Sequence, residues 1–264
     1  MASLELLSQV EAIAREAGAL ILQVYAGNFE VRGKADTSPV TEADERAERC
    51  IVAALQALDA AVPVVAEEAA SRGETPAVGS RFWLVDPLDG TREFVSRNGE
   101  FTVNIALIED GAAVLGVVFE PVAGRLYAGA VGLGAWLEEQ GEQGDQSARR
   151  RTIACRQPGA DGLVLACSRS HGDEAALQRW LMAWLGTRTV LRRVAVGSSL
   201  KFGLLAAGQA DIYPRLGRTM EWDTAAGHAV LRAAGGEVRD LTGVPLRYGK
   251  PGFENPHFVA QGLP

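Results

Sequence analysis

The run Trp83-Leu84-Val85-Asp86-Pro87-Leu88-Asp89-Gly90-Thr91 constrains this chain more than any other stretch. Apolar residues of strand character end abruptly in two carboxylates, with a glycine and a threonine straight after. Asp86 closes what reads as a buried strand, and Pro87, with no N–H to donate, is expected to stop pairing there. Asp89 follows three residues on, so both carboxylates can turn toward one point. Gly90 lets backbone come close to a ligand, and Thr91 adds a hydroxyl. Taken alone, the stretch has two readings. One is a strand followed by an ordinary Pro-Asp-Gly corner. The other is a divalent-metal and phosphate site built from carboxylates, a free carbonyl and exposed N–H groups.

The rest of the chain narrows that choice. Its 264 residues suffice for one large or two modest domains with a real core. A net charge of −7 argues against a broad nucleic-acid-binding surface. It leaves room for a small anionic substrate, because a bound cation inverts the local charge. Cys50, Cys155 and Cys167 are widely spaced, which speaks for a reducing compartment and against a disulfide framework or a zinc site. Glu5 and Glu11 near the N-terminus, with no basic-then-apolar pattern, argue against a signal peptide. No apolar run reaches membrane-spanning length.

Along the chain, Leu6, Val10, Ile13, Ala17, Leu20 and Val24 recur at helical spacing behind a candidate N-cap, Ser3. Gly27 to Pro39 reads as a polar loop or short hairpin, with Lys34 and Asp36 in a mobile part of it. Thr41-Glu42-Ala43-Asp44 opens a second helix. Thr41 and Asp44 have capping-box spacing, so Asp44 is either a cap or an acid at the rim of a metal site. Val62 to Ala66 is a short apolar strand ending in Glu67-Glu68, which is either a solvated acidic loop or part of a site at a shared sheet edge. Ala69 to Ser80 reads as a surface loop. Strands are expected over Phe101 to Ile108, Ala113 to Phe119, Leu126 to Val131 and Ala135 to Leu137, an antiparallel meander. Glu138 to Arg151 has the composition of a loop between lobes, its Arg149-Arg150-Arg151 run solvated. Beyond it, strands at Leu163 to Cys167, Thr189 to Val196 and Ala210 to Tyr213 alternate with helices at Glu174 to Leu185, after Gly197-Ser198-Ser199, and after Trp222-Asp223. Glu237 to Asp240 reads as the final strand. Helices on a meander followed by a smaller α/β layer make an α+β protein with lobes at 1–140 and 151–264.

Glu67, Asp86, Asp89 and Asp223 all lie at element ends. Asp223 is also a plain candidate N-cap, with Trp222 anchoring the turn. Four carboxylates and a backbone carbonyl, without His or Cys nearby, select oxygen-loving cations, Mg2+ first and Mn2+ as a substitute. Two such ions about 3.5–4 Å apart are a common device for phosphoryl transfer. There is no P-loop motif, no dinucleotide fingerprint and no Gly-x-Ser-x-Gly. Metal-assisted hydrolysis of a phosphate ester is the leading chemistry.

Asp86-Pro87-Leu88-Asp89-Gly90-Thr91 and Trp222-Asp223-Thr224-Ala225-Ala226-Gly227 resemble the two signatures of the inositol monophosphatase-like, lithium-sensitive phosphatase superfamily. Glu67-Glu68 is similar to its upstream acidic pair, and Thr41-Glu42-Ala43-Asp44 to its early Thr-x-x-Asp element. The four matches fall in the right order over nearly the whole chain. Thr91-Arg92-Glu93-Phe94 resembles the 3'(2'),5'-bisphosphate nucleotidase branch, where inositol phosphatases usually carry Asn-Phe. The segments Arg97 to Leu107 and Gly197 to Phe202 resemble its bacterial members. One departure is Ala66, where relatives often have Ser.

The resemblance implies a layered αβαβα sandwich of the inositol monophosphatase and fructose-1,6-bisphosphatase type. It implies a Mg2+-dependent enzyme that removes the 3'-phosphate of adenosine 3',5'-bisphosphate to leave AMP, recycling a by-product of sulfate assimilation. Glu67, Asp86 and the Leu88 carbonyl would hold one Mg2+. Asp86, Asp89 and Asp223 would hold a second. Glu67 and Thr91 would orient and activate water, and Gly90 and Thr91 would bind phosphate. Asp44 would serve a third ion or orient the water. Ser198 and Lys201 would meet the rest of the substrate, Lys201 by pairing with the 5'-phosphate unless it is an exposed helix lysine. The alternatives are an inositol or sugar-phosphate phosphatase of the same superfamily, or a catalytically idle regulator. The expected partner is a small nucleotide bisphosphate, with no nucleic acid, no integral membrane segment and no obligate protein partner. The expected location is cytoplasmic, peripheral at the inner membrane face at most.

Overall fold

The computed structural model describes residues 3–33, 39–140, 148–169, 174–186 and 188–263. Lys34 and Asp36 lie outside the described residues. Helix α1 (Leu4–Ala26) begins at Ser3, whose Oγ accepts the Leu6 N–H at 3.1 Å. A small hairpin, β1 (Arg32–Gly33) with β2 (Pro39–Val40), leads to α2 (Glu42–Leu58). Then come β3 (Val64–Ala66), a short α3 (Glu67–Ser71), β4 (Arg81–Asp89) and a short α4 (Thr91–Val95). The meander is β5 (Thr102–Glu109), β6 (Ala112–Glu120), β7 (Arg125–Ala130), β8 (Gly134–Glu139) and β9 (Arg149–Ile153). The remainder is β10 (Leu163–Ser168), α5 (Glu174–Trp184), β11 (Val190–Val196), α6 (Leu200–Ala206), β12 (Ile212–Arg215), α7 (Glu221–Ala233), β13 (Glu237–Asp240) and β14 (Phe258–Gln261).

Strands β3 to β9 form a seven-stranded sheet in sequence order, antiparallel except for the parallel β3–β4 pair. The second sheet has five strands in the order β11-β10-β12-β14-β13. Helices α1 and α2 cover the outer face of the large sheet. Helices α6 and α7 fill the space between the sheets, and α5 covers the far face of the small one. The architecture is the αβαβα sandwich.

The apolar pattern follows from that layering. Strand β4 is buried on both faces, so it reads as a continuous apolar run. Phe82 and Leu84 join the core around α7, and Trp83 and Val85 join the core under α1 and α2. Helix α7 packs closely because both surfaces are small. Gly116 of β6 and Gly129 of β7 meet Ala226, Ala229 and Ala233, and a Cβ at Gly116 would lie 2.2 Å from the Ala226 carbonyl oxygen.

Several expectations need correction. Pro87 does not end pairing: β4 continues to Asp89, with Asp86 opposite Asn104 and Asp89 opposite Thr102. Pro87 and Leu88 of β4 thus stand opposite the single residue Val103 of β5. This is a bulge, the place inside a sheet where a residue without an N–H is tolerated. The stretch after Glu67 is helical to Ser71 before it becomes a loop. The run Arg149-Arg150-Arg151 is exposed, yet it is edge strand β9 rather than a connecting loop. Arg150 grips Glu11 of α1 through two hydrogen bonds, at 2.8 and 3.0 Å, and lies over the Trp136 ring. Strand β14 comes after β13 and inserts between it and β12, which four residues beyond a proline did not signal.

Gly116→Ala is expected to push α7 off the large sheet and destabilise the protein by about 1–3 kcal/mol, read as a lower denaturant midpoint at unchanged slope.

Candidate active site

Two strand ends and one helix start build the site. The parallel register pairs Ala66 with Val85, so the residues that follow, Glu67 and Asp86, emerge side by side. The bulge then carries β4 through the Leu88 carbonyl to Asp89. The first turn of α7 brings Asp223 from the other side. Glu67, Asp86, Leu88, Asp89 and Asp223 line one cavity of about 710 Å3, together with Gly90, Thr91 and Ser198. Gly90 has φ +92°, and a Cβ there would crowd the Glu100 carbonyl and the Glu93 carboxylate at 3.3 Å. Glycine is the residue that allows this corner.

Electrostatics marks the cluster. Asp86 is held well above the ordinary carboxylate range, first by burial and then by the charges of Glu67, Asp89 and Asp223. The neighbouring Glu67 side chain adds to the same upward shift. Asp223 is pushed up to about 8, again by burial first and then by Asp89 and Glu67. Burial also raises Asp89, against the opposing pull of Lys201, Ser199 and Asn104. Neighbouring carboxylates that raise one another's proton affinity make a site that a cation would relieve. The donors are all oxygens, and among the described residues no His or Cys side chain lines the cavity. That set fits a hard divalent ion. It is not a preclosed cage: among the described residues, no three His, Cys, Asp or Glu side chains already stand in metal-binding geometry.

Neutral donors set the acids in place. The Ser199 hydroxyl contacts both the Asp89 carboxylate, at 2.8 Å, and the Asp223 carbonyl, at 2.6 Å, joining β4 to α7. The Asn104 amide donates to Asp89 and to Ser199. The Leu88 N–H donates to Asp86 at 3.1 Å.

Asp223 is not the N-cap of α7. Met220 is, and Asp223, three residues in, accepts the Met220 N–H at 2.8 Å. Asp44 completes its capping box and does more. One oxygen takes the Thr41 N–H and hydroxyl, at 2.8 and 2.7 Å, and the other takes the Thr91 hydroxyl at 3.2 Å. Asp44 is buried behind Thr91 and does not line the cavity. Lys201 is no exposed helix lysine. It is buried, over the Tyr213 ring, with Nζ donating to the Val196 and Ser198 carbonyls. Burial lowers it to about 8. Ser198 sits at φ +44°, and its buried Oγ has no hydrogen-bond partner among the described residues.

Sequence reasoning missed the bridging roles of Asn104 and Ser199. It also missed Arg215 and Arg218, which join Arg92 on the cavity wall. Both arginines stand shortly before Trp222-Asp223, which was a usable signal. No spacing rule links Asn104 to Ser199.

The sequence profile of the inositol monophosphatase family matches residues 3–261. The chain is 48% identical to the 3'(2'),5'-bisphosphate nucleotidase CysQ of Escherichia coli K12 over 256 residues, covering 96% of this chain and 98% of that one. It is 39% identical to CysQ of Buchnera aphidicola, over 98% and 94% of the two chains. The crystal structure of CysQ from Bacteroides thetaiotaomicron superposes with a TM-score of 0.80 at 36% identity, covering 98% and 97%.

The raised carboxylates make a signed prediction. They bind protons more tightly in the folded protein than in the unfolded chain. Their contribution to stability is therefore complete at low pH and is lost as pH rises through the folded values. Chelator-treated protein is expected to melt at a lower temperature at about pH 9 than at about pH 6, with Mg2+ narrowing the gap in the same calorimetric scans.

Proposed function

The chain belongs to the inositol monophosphatase family, and from that premise we propose a cation-dependent 3'(2'),5'-bisphosphate nucleotidase that converts adenosine 3',5'-bisphosphate to AMP and phosphate. The observation that carries the reading is the convergence of Glu67, Asp86, Asp89, Asp223 and the Leu88 carbonyl on one cavity. Its size suits a nucleotide rather than a bare phosphate. Arg92, Arg215 and Arg218 on its wall offer positive charge to a substrate with a second phosphate.

In this reading, the lobe of residues 1–140 supplies most cation ligands, and the lobe of 151–264 supplies Asp223 and contacts to the nucleoside side. Glu67, Asp86 and the Leu88 carbonyl would hold one Mg2+, and Asp86, Asp89 and Asp223 a second, with Mn2+ able to substitute. Bound there, the ions would polarise the phosphoryl group and lower the pKa of water. The residues do the rest. The Thr91 hydroxyl can donate to Asp44 at 3.2 Å or to the Leu88 carbonyl at 3.4 Å, and either way its lone pairs stay available to accept from a water and orient it. Glu67 stands beside Asp86 to take the proton that the water releases. Gly90 and Thr91 would meet the phosphate. Both carboxylate oxygens of Asp44 are already engaged, which favours water orientation over a third ion. The two carbonyl contacts of Lys201 favour holding the Gly197-Ser198 corner over pairing directly with the 5'-phosphate. Ser198, which lines the cavity and carries a hydroxyl without a partner among the described residues, is the better candidate for a substrate contact.

Asp86→Asn and Asp223→Asn are each expected to lower turnover by more than about a hundredfold while the circular dichroism spectrum stays unchanged. Activity retained in both would remove the mechanism. Phosphate release from adenosine 3',5'-bisphosphate, its sulfated analogue, inositol 1-phosphate and fructose 1,6-bisphosphate, with and without Mg2+, tests the substrate. Preference for the inositol or fructose compound would overturn the nucleotide assignment.

A further inference from the structure

Helix α3, which opens with Glu67, has only five residues, too few to hold a helical conformation unaided. The first N–H groups of a helix have no partner within it, and an N-cap side chain usually accepts one. Here the N-cap is Ala66, which can accept nothing. The acceptors come from another helix. Glu48, in the middle of α2, takes the Glu68 N–H on Oε2 at 2.7 Å and the Ala69 N–H on Oε1 at 2.9 Å. Glu48 is 6% exposed, and Arg72, just past the end of α3, stands 3.5 Å from the same carboxylate. Two successive N–H groups held by two oxygens of one carboxylate fix the direction of the first turn, and Glu67 is the residue immediately before them. One turn earlier on the same face of α2, Asp44 holds Thr91.

We propose that Glu48 is a positioning residue for the cation site. It replaces the cap that Ala66 cannot supply, and so sets the direction in which Glu67 presents its carboxylate beside Asp86. This rests on the reading of Glu67 as a cation ligand.

The test is direct Mg2+ binding to chelator-treated full-length protein by titration calorimetry, beside steady-state kinetics. Glu48→Ala is expected to weaken Mg2+ binding about tenfold or more. Its half-saturating Mg2+ concentration should rise in parallel, with kcat at saturating Mg2+ changed far less. Adding Ala66→Ser to Glu48→Ala supplies an acceptor at the N-cap itself and is expected to return the affinity to within about threefold of the parent. Glu48→Gln, which keeps one acceptor, is expected to fall between, and it replaces Glu48→Ala in the comparison if that variant does not fold. A lower melting temperature with unchanged Mg2+ affinity would make Glu48 structural only and overturn the proposal, as would failure of Ala66→Ser to restore binding. Glu67→Gln separates the two readings. Unchanged affinity there removes the premise, whereas loss there with none in Glu48→Ala removes this proposal alone.

Discussion

Like charges held close together in a buried place are the constraint on which this structure turns. Glu67, Asp86, Asp89 and Asp223 share one cavity, where burial first and mutual repulsion second raise the proton affinity of Asp86 and Asp223. Such a cluster costs stability in any fold. It persists because each acid sits at the end of an element whose packing is set elsewhere. Two strands of one sheet and a helix wedged between two sheets leave the carboxylates no freedom to spread apart.

The wedge is the less obvious half of that arrangement. Asp223 reaches the cluster because α7 lies close against the large sheet, and α7 lies close because glycines face alanines across the contact. The Ala225-Ala226-Gly227 run is therefore a packing device as well as part of a motif. Gly227 serves the other side, where a Cβ would strike the Phe202 ring of α6. Ser199 then ties the end of β4 to the start of α7, through Asp89 and the Asp223 carbonyl.

Around the acids stands a shell of groups that fix direction rather than charge. Helix α2 contributes twice from one face, with Asp44 behind Thr91 and Glu48 behind the start of α3. These two contacts reach the two residues assigned to the water, Thr91 and Glu67. A rigid helix one layer below the cavity can hold both in register, which a loop could not do.

Much of this was legible in the chain. The apolar run broken by Asp86, the element ends marked by Glu67 and Asp223, the capping box at Thr41 and the meander all follow from periodicity and local chemistry, which act over a few residues. The two sequence signatures pointed to the family. What stayed hidden depends on contacts between distant residues. Pro87 looked like a strand end because a bulge is visible only against the partner strand. Lys201 looked exposed because a helix face is assigned by what packs on it. The Arg149 run looked like a loop because its strand partner, β8, lies across a segment of loop composition. The sequence by itself determined which residues could form a cation and phosphate site and in what order they occur. Only the tertiary structure decided that Ser199 joins Asp89 to α7, that Glu48 caps a helix twenty residues downstream, and that four separate acids face one cavity. Local propensity fixes the elements; the pairing of strand ends and the close packing of α7 bring those elements to one place.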